Sequence, residues 1–229
     1  MSEFERFLAQ LPAGEAARGR EVFRPARVGR GELMVRAGDR PDRVGFVERG
    51  LFRLYATDPA GTERTMGFRA EGELVCAYSA ALRKEASQLT IEALEPAELM
   101  VAPRSGYDAM VAANPGWQRL VARLTEELYL RVEQRQSELL LTDATARYRQ
   151  FLADHGALAN RLTQRQIASY VGVTPEALSR IRGRLISIND DRPETAYGRE
   201  HDDDARDGNR PSRPRSGPST AHPAGEATG

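Results

Sequence analysis

The pattern of hydrophobic and polar positions changes character along the chain. It starts with helical spacing, continues with short strands between glycine-bearing turns over residues 22–104, and returns to helical spacing before the apolar residues stop. Evenly spaced short strands predict an antiparallel jelly roll or barrel, so the fold class is α+β. The chain therefore divides into an N-terminal helix with a β-barrel domain, a long helix, a helical domain and a tail: residues 1–111, 112–141, 142–188 and 189–229.

The two ends of the chain contrast in their apolar content. Apolar positions at helical spacing predict one short helix within the first 21 residues: Phe4, Phe7, Leu8 and Leu11. From residue 189 onward there is no Leu, Ile, Val, Phe, Met or Trp, and Pro, Gly, Ser, Asp and Arg dominate. Such a segment cannot bury enough apolar surface to offset its ordering entropy, so the pattern predicts a disordered tail.

The long helix carries one apolar stripe close to a 3.5-residue repeat. It begins at Pro115, a residue that suits the first turn of a helix. A stripe of this length needs a partner, which is either the chain's own barrel or the same helix of a second subunit. The pattern favours a homodimer, with a seam made of Trp117, Leu120, Val121, Leu124, Leu128 and Val132.

A helix-turn-helix is predicted in the helical domain. Thr163 is a good N-cap, and Gln166 three residues later completes a capping box. Gly172 stands where the first helix must end in a left-handed residue, which glycine adopts at least cost. Thr174 then caps the second helix, and Pro175 occupies its first position. Two correctly spaced caps around a glycine favour this motif over an ordinary helical hairpin.

The charge of the helical domain fits DNA. The whole chain is neutral, with 33 basic and 33 acidic residues, but residues 143–188 hold seven arginines and three acids. Phosphate contact requires such an imbalance, and Arg and Glu side chains on the second helix suit the base edges of a major groove. The predicted DNA-binding residues are Thr163, Gln164, Arg165, Thr174, Pro175, Glu176, Ser179, Arg180, Arg182 and Arg184.

Composition limits the cellular setting. The single cysteine, Cys76, excludes a disulfide framework within one chain. The first 21 residues are charged throughout, and no stretch reaches the roughly 18 apolar residues that a membrane span needs. We therefore expect a cytoplasmic protein without a membrane partner.

These features together resemble the Crp/Fnr family of bacterial transcription regulators. The resemblance rests on the order of the domains and on Thr-Gln-Arg-Gln-Ile-Ala-Ser-Tyr-Val-Gly-Val-Thr-Pro-Glu-Ala-Leu-Ser-Arg-Ile-Arg at 163–182. Gly-Leu-Phe-Arg-Leu-Tyr at 50–55 and Glu-Gly-Glu-Leu at 71–74 resemble the family's effector domain. The resemblance implies a cyclic-nucleotide-binding-like jelly roll, a dimerisation helix and binding to double-stranded DNA. It implies that Glu176 and Arg180 read bases, and it makes RNA polymerase a candidate partner.

The effector domain departs from the cyclic-nucleotide pattern of that family. Such a pocket needs an Arg for the cyclic phosphate and an acid for the ribose, but Ala77 stands at the acid position and Ser87-Gln88 at the Arg-Ser positions. We predict that this domain does not bind a cyclic nucleotide conventionally, that it takes another small effector or none, and that no cofactor is required. The candidate pocket residues are Glu73, Leu74, Ala77, Tyr78, Ser87 and Gln88.

Two other functions are compatible with parts of this pattern. A cupin-type enzyme would need clustered histidines for a metal, but residues 22–104 contain no histidine, so we predict a protein that is not an enzyme. A ligand-sensing or protein-interaction module with little DNA reading stays open. Family members usually carry a β-wing around the helix-turn-helix, whereas residues 142–161 show little strand pattern and the tail follows soon after Leu185. The wing is therefore predicted to be reduced or absent.

Overall fold

The computed structural model describes residues 1–190, with side chains as far as residue 185. Among these residues it contains eight strands and eight α-helices. The strands are β1 (Arg24–Val28), β2 (Leu33–Val35), β3 (Arg43–Arg49), β4 (Phe52–Thr57), β5 (Glu63–Arg69), β6 (Leu74–Val75), β7 (Thr90–Ala93) and β8 (Ala97–Pro103). The helices are α1 (Glu3–Leu8), α2 (Ala13–Val22), α3 (Tyr78–Arg83), α4 (Arg104–Ala113), α5 (Pro115–Leu141), α6 (Ala144–His155), α7 (Gln164–Val171) and α8 (Pro175–Asp190), with a 3-10 turn at Gly156–Leu158.

The strands form two antiparallel sheets of four, in the orders β1-β8-β3-β6 and β2-β7-β4-β5. Alternation along β4 sends Phe52 and Leu54 into the space between the sheets, while Arg53 lies on the outer face. Val47 and Leu99 enter the same space from the other sheet. The predicted jelly roll of the α+β class is confirmed.

A second core lies where α1, α2, α4 and the start of α5 pack against the barrel. Phe4, Phe23 and Phe46 pack there with Trp117 from the start of α5. Glu15 of α2 fixes the entry of α5, because its carboxylate accepts from the backbone N–H of Trp117 at 3.0 Å and its carbonyl accepts from the indole N–H, also at 3.0 Å. The α5 helix therefore begins as part of the barrel domain.

Three helices differ from the sequence prediction. Residues 1–21 were expected to hold one short helix and instead hold most of two, α1 and α2, separated at Pro12. Helices α3 and α4 were not predicted. The expected boundary at residues 111/112 falls in the last turn of α4. Most of the predicted tail, residues 191–229, lies outside the described residues.

A third core joins the helical domain to the barrel. Phe151 of α6, Val171 of α7 and Leu178 of α8 are almost wholly buried there, together with Leu51 and Phe68 from the barrel. Two barrel side chains therefore complete this core. Helix α7 lies against the edge of the sheet that β5 forms.

Candidate nucleic-acid interface

The first helix of the motif begins and ends where the sequence predicts. The hydroxyl of Thr163 accepts from the N–H of Gln166 at 3.3 Å, and the Gln166 amide oxygen accepts from the Thr163 N–H at 2.8 Å. Gly172 ends α7 in the left-handed conformation, with φ of +80°. These contacts confirm the capping box and the glycine stop.

The turn places α8 firmly against α7. The Thr174 hydroxyl accepts from the N–H of Ala177 at 3.2 Å, which confirms it as the cap of the second helix. The side-chain amide of Gln164 donates to the carbonyl of Pro175 at 3.0 Å and so ties the start of α7 to the start of α8. Leu178 and Ile181 are buried on the inner side of α8, so its outer side is fixed by packing.

The outer side of α8 presents charged and polar side chains to solvent. Glu176, Ser179, Arg180 and Arg184 are all exposed. Hydrogen bonds from its own backbone N–H and from the Thr174 side chain lower the pKa of Glu176, so it is ionised at neutral pH. An ionised Glu can accept from a cytosine amino group, and Arg can form a bidentate contact to guanine.

The predicted DNA residues do not all share one face. Arg180 points away from Leu178, whereas Arg182 follows two residues later and is therefore turned by about 200° around the helix axis. Arg182 is exposed but lies on the opposite side of α8 from Arg180. Arg184 returns close to the Arg180 side, while Thr163, Gln164 and Arg165 are exposed around the start of α7.

Two of the seven arginines in the helical domain are occupied internally. Arg147 donates to the carbonyl of Val171 at 2.8 Å and to the carbonyl of Thr142, so it holds α6 and α7 together. Arg161 donates to carboxylates of the barrel. Charge counting could not detect this, because the partners are distant in the sequence or are backbone carbonyls. The exposed arginines are Arg149, Arg165, Arg180, Arg182 and Arg184.

No strand follows β8 within the described residues. The segment from 142 to 161 contains α6 and the 3-10 turn. Contacts to DNA from residues 1–190 would therefore come from helices and their connecting turns.

The long helix divides its apolar stripe between two environments. Trp117 and Leu120 are buried in the core of their own subunit, with Val121 and Leu124 packed partly against it. The prediction that Trp117 and Leu120 belong to a dimer seam is therefore wrong, because no partner can reach them. Leu128 is half-buried and Val132 is exposed.

The candidate effector residues do not converge on one pocket. Ala77 faces the barrel interior, whereas the Glu73 carboxylate faces α5 and pairs with Arg131 at 2.7 Å. The remaining four are scattered: Leu74 packs toward the N-terminal core, the Tyr78 hydroxyl lies 3.3 Å from that of Thr125, buried Ser87 bonds to the backbone of Leu89, and Gln88 is exposed.

The space between the two sheets of the barrel is filled by apolar side chains. Five of the interior side chains are fully buried, namely Val47, Phe52, Val75, Ile91 and Ala93. Arg53 is the only arginine among the buried residues of the described part of the chain, and its guanidinium bonds to Thr65 and Glu63 on the outer face of the sheet. The residues present therefore fit a filled hydrophobic core.

Neither a membrane helix nor a metal cluster was found in the described part of the chain. None of its helices has the length and apolar character needed to cross a membrane. No group of three or more His, Cys, Asp or Glu side chains between residues 1 and 190 is arranged to hold a metal ion.

Known proteins resemble this chain in sequence and in fold. Residues 25–114 match the cyclic nucleotide-binding domain family. The chain is 27% identical over 169 residues to the transcriptional activator protein Anr of Pseudomonas protegens, covering 68% of each chain. It is 27% identical over 197 residues to the transcriptional regulatory protein btr of Bordetella pertussis, covering 78% of this chain and 80% of btr. The structure of the c-di-GMP responsive global regulator CLP of Xanthomonas campestris shares the fold, with a TM-score of 0.66 at 18% identity over 78% of this chain and 93% of CLP.

Proposed function

We propose that this chain, a member of the Crp/Fnr family of transcription regulators, reads double-stranded DNA as a homodimer through the outer side of α8. One observation carries the proposal. Glu176 and Arg180 share an exposed helix face whose opposite side is locked by Leu178 and Ile181. Each subunit would then read one half-site, with the two half-sites about one DNA turn apart.

The relatives favour this function over a module with little DNA reading, because regulators of transcription align with most of the chain. We propose that the protein acts by binding rather than by catalysis, in the cytoplasm where bacterial DNA lies. RNA polymerase and a small effector are candidate further partners. The filled barrel interior supports an effector other than a conventionally bound cyclic nucleotide, or none.

The test is a binding selection on random double-stranded DNA at near-physiological salt, with two matched arginine variants. Arg180→Ala should weaken binding to the enriched motif by about 1–3 kcal/mol and relax the choice at one base pair. Arg182→Ala removes the same charge from the far side of the helix and should leave the base preference unchanged. Equal losses on every sequence for Arg180→Ala would mean that Arg180 contacts only phosphate.

The dimer would form along an exposed heptad stripe of α5. The spacing of Ala122, Thr125, Tyr129, Val132, Gln136 and Leu139 alternates between three and four residues, as in a coiled-coil seam. Tyr129 is 65% exposed, Val132 56% and Leu139 50%, so at least half of each residue's surface is left uncovered by its own subunit. A seam at these positions would cover Tyr129, Val132 and Leu139 in the dimer.

Two variants on one helix distinguish the faces. Val132→Glu should dissociate the dimer, because it places like charges opposite each other across the seam. Leu130 is 63% exposed but lies about 160° around the helix from Val132, so Leu130→Glu should leave the dimer intact. Sedimentation velocity measures both. Dissociation by Leu130→Glu alone would place the seam on the other face.

A further inference from the structure

Helix α7 is attached to the edge of the barrel sheet through the hydroxyl group of Ser169. The Ser169 hydroxyl of α7 donates to the Glu63 carbonyl at 3.0 Å, and its oxygen accepts from the Thr65 N–H at 3.0 Å. β5 is an edge strand, and these two backbone groups are the ones that a further strand would bond. Ser169 therefore takes the place of a neighbouring strand.

A buried arginine of the barrel bonds to the two β5 residues that contact Ser169. Arg53 is 6% exposed, and its Nε donates to the Thr65 hydroxyl at 2.8 Å while its Nη1 pairs with Glu63 at 2.6 Å. The Thr65 hydroxyl also lies 3.0 Å from that of Ser169. The contact between α7 and β5 is thus part of one connected polar network, which includes the buried side chain of Arg53.

A second contact clamps the start of the motif. Arg161, two residues before the α7 cap, donates to both oxygens of Glu71 at 2.8 and 2.9 Å and also pairs with Glu95. Burial alone would raise the pKa of Glu71, but hydrogen bonds from Arg161 and the Gly50 N–H outweigh it and lower the pKa to about 2. One guanidinium therefore joins two turns of the barrel to the DNA-binding helices through charged, bidentate contacts.

The far end of α7 is held by the long helix. The Arg135 guanidinium lies 4.3 Å from the ring centre of Tyr170 and donates to its backbone carbonyl. Arg135 is held in turn by Glu138 on the same helix at 3.3 Å. The α7 helix is therefore attached to the barrel at its start and middle, and to α5 at its end.

None of these contacts covers the outer side of α8, because Glu176 and Arg180 remain exposed. We infer that Arg161 and Ser169 are positioning residues, which fix the direction of α8 relative to the barrel and α5 and thereby the spacing between the two half-sites. The inference rests on the proposed function of a dimeric DNA reader. In a dimer joined along α5, the distance between the two α8 helices depends on how each α8 is oriented relative to the barrel of its own subunit.

Spacing dependence tests this role directly. Operators built from the selected half-site are prepared with spacers that differ by one base pair, which changes the separation by about 3.4 Å and the rotation by about 35°. Full-length wild-type protein should show a sharp optimum. Arg161→Ala and Ser169→Ala should flatten it, with the preference for the best spacer falling about tenfold for Arg161→Ala. Affinity for a single half-site should not change.

Two controls make the result specific. Arg161→Lys keeps the charge but loses the planar fork, so its spacing profile should lie between those of wild type and Arg161→Ala. Arg149→Ala removes an exposed arginine outside the clamp and should keep the wild-type profile. Circular dichroism and sedimentation verify that each variant is a folded dimer.

Defined outcomes overturn the inference. An unchanged spacing profile in Arg161→Ala and Ser169→Ala would remove the positioning role. Tighter binding of Arg161→Ala at the same optimal spacer would also overturn it, because the clamp would then hold an inhibited arrangement. A wild-type protein that selects no operator would contradict the proposed function itself, which distinguishes that failure from this one.

Discussion

The filled barrel interior predicts that cyclic nucleotides do not stabilise this protein. A ligand that binds only the folded state at a 100-fold excess over its Kd adds about 2.7 kcal/mol to the free energy of unfolding. For a folded region of this size, that corresponds to a rise in Tm of roughly 5–10 °C. Since Phe52 and Ile91 leave no room between the sheets, we expect no rise in Tm with cyclic AMP or cyclic GMP at 1 mM, about 100 times a micromolar-range Kd of 10 µM.

The magnitude follows from what a nucleotide would displace. Phe52 and Ile91 are wholly buried, and removing such a side chain costs about 2–5 kcal/mol. A nucleotide would have to offset that loss and also bury its phosphate, while the one buried arginine of the described residues, Arg53, is already bonded to Thr65 and Glu63. Its binding energy would therefore be largely consumed before any net affinity appeared.

Thermal unfolding with and without each nucleotide is the assay, and Phe52→Ala is the control for the packing. This variant should lose about 3–5 kcal/mol of stability, because the cavity that it opens cannot collapse fully. A loss below about 1 kcal/mol would show that the interior is not filled as described. A saturable rise of several degrees in wild-type Tm with a micromolar midpoint would refute the reasoning outright.

Two further predictions concern stability. Gly19→Ala should cost about 1–3 kcal/mol, because its Cβ would lie 2.7 Å from Leu8 and 2.8 Å from Trp117, whereas Gly14→Ala, with nothing within 4 Å, should be neutral or stabilising. Urea unfolding measures both, and equal effects would contradict the close approach of α2 to α5. The lowered pKa of Glu71 should stabilise the fold above its ordinary value of 4.5, by about 1 kcal/mol after solvent screening, and this contribution should disappear as pH falls from about 4.5 to 2. The stability difference between wild type and Glu71→Gln should therefore shrink over that range, and a constant difference would contradict the assignment.

The parts of the fold that sequence predicted correctly depend on neighbours along the chain. Thr163 and Gln166 bond to each other, and Gly172 ends its own helix, so a few adjacent residues specify the motif. Helix α2 was missed because its buried positions are Ala16 and Gly19, which carry no apolar signal. Their small size serves the partner instead, since Gly19 leaves room for Trp117, a residue almost a hundred positions away.

The candidate site shows the same limit in its charges and in its dimer helix. A count of arginines treated Arg161 as one of the charges available to DNA, yet its carboxylate partners lie 66 and 90 residues earlier in the chain. The sequence left open whether the barrel or a second subunit covers the apolar stripe of α5. The two halves of the helix differ in this respect. Its first turns, with Trp117, are completed by the barrel, while Val132 is left uncovered. Periodicity shows that a stripe needs cover, but only the tertiary structure shows which turns already have it.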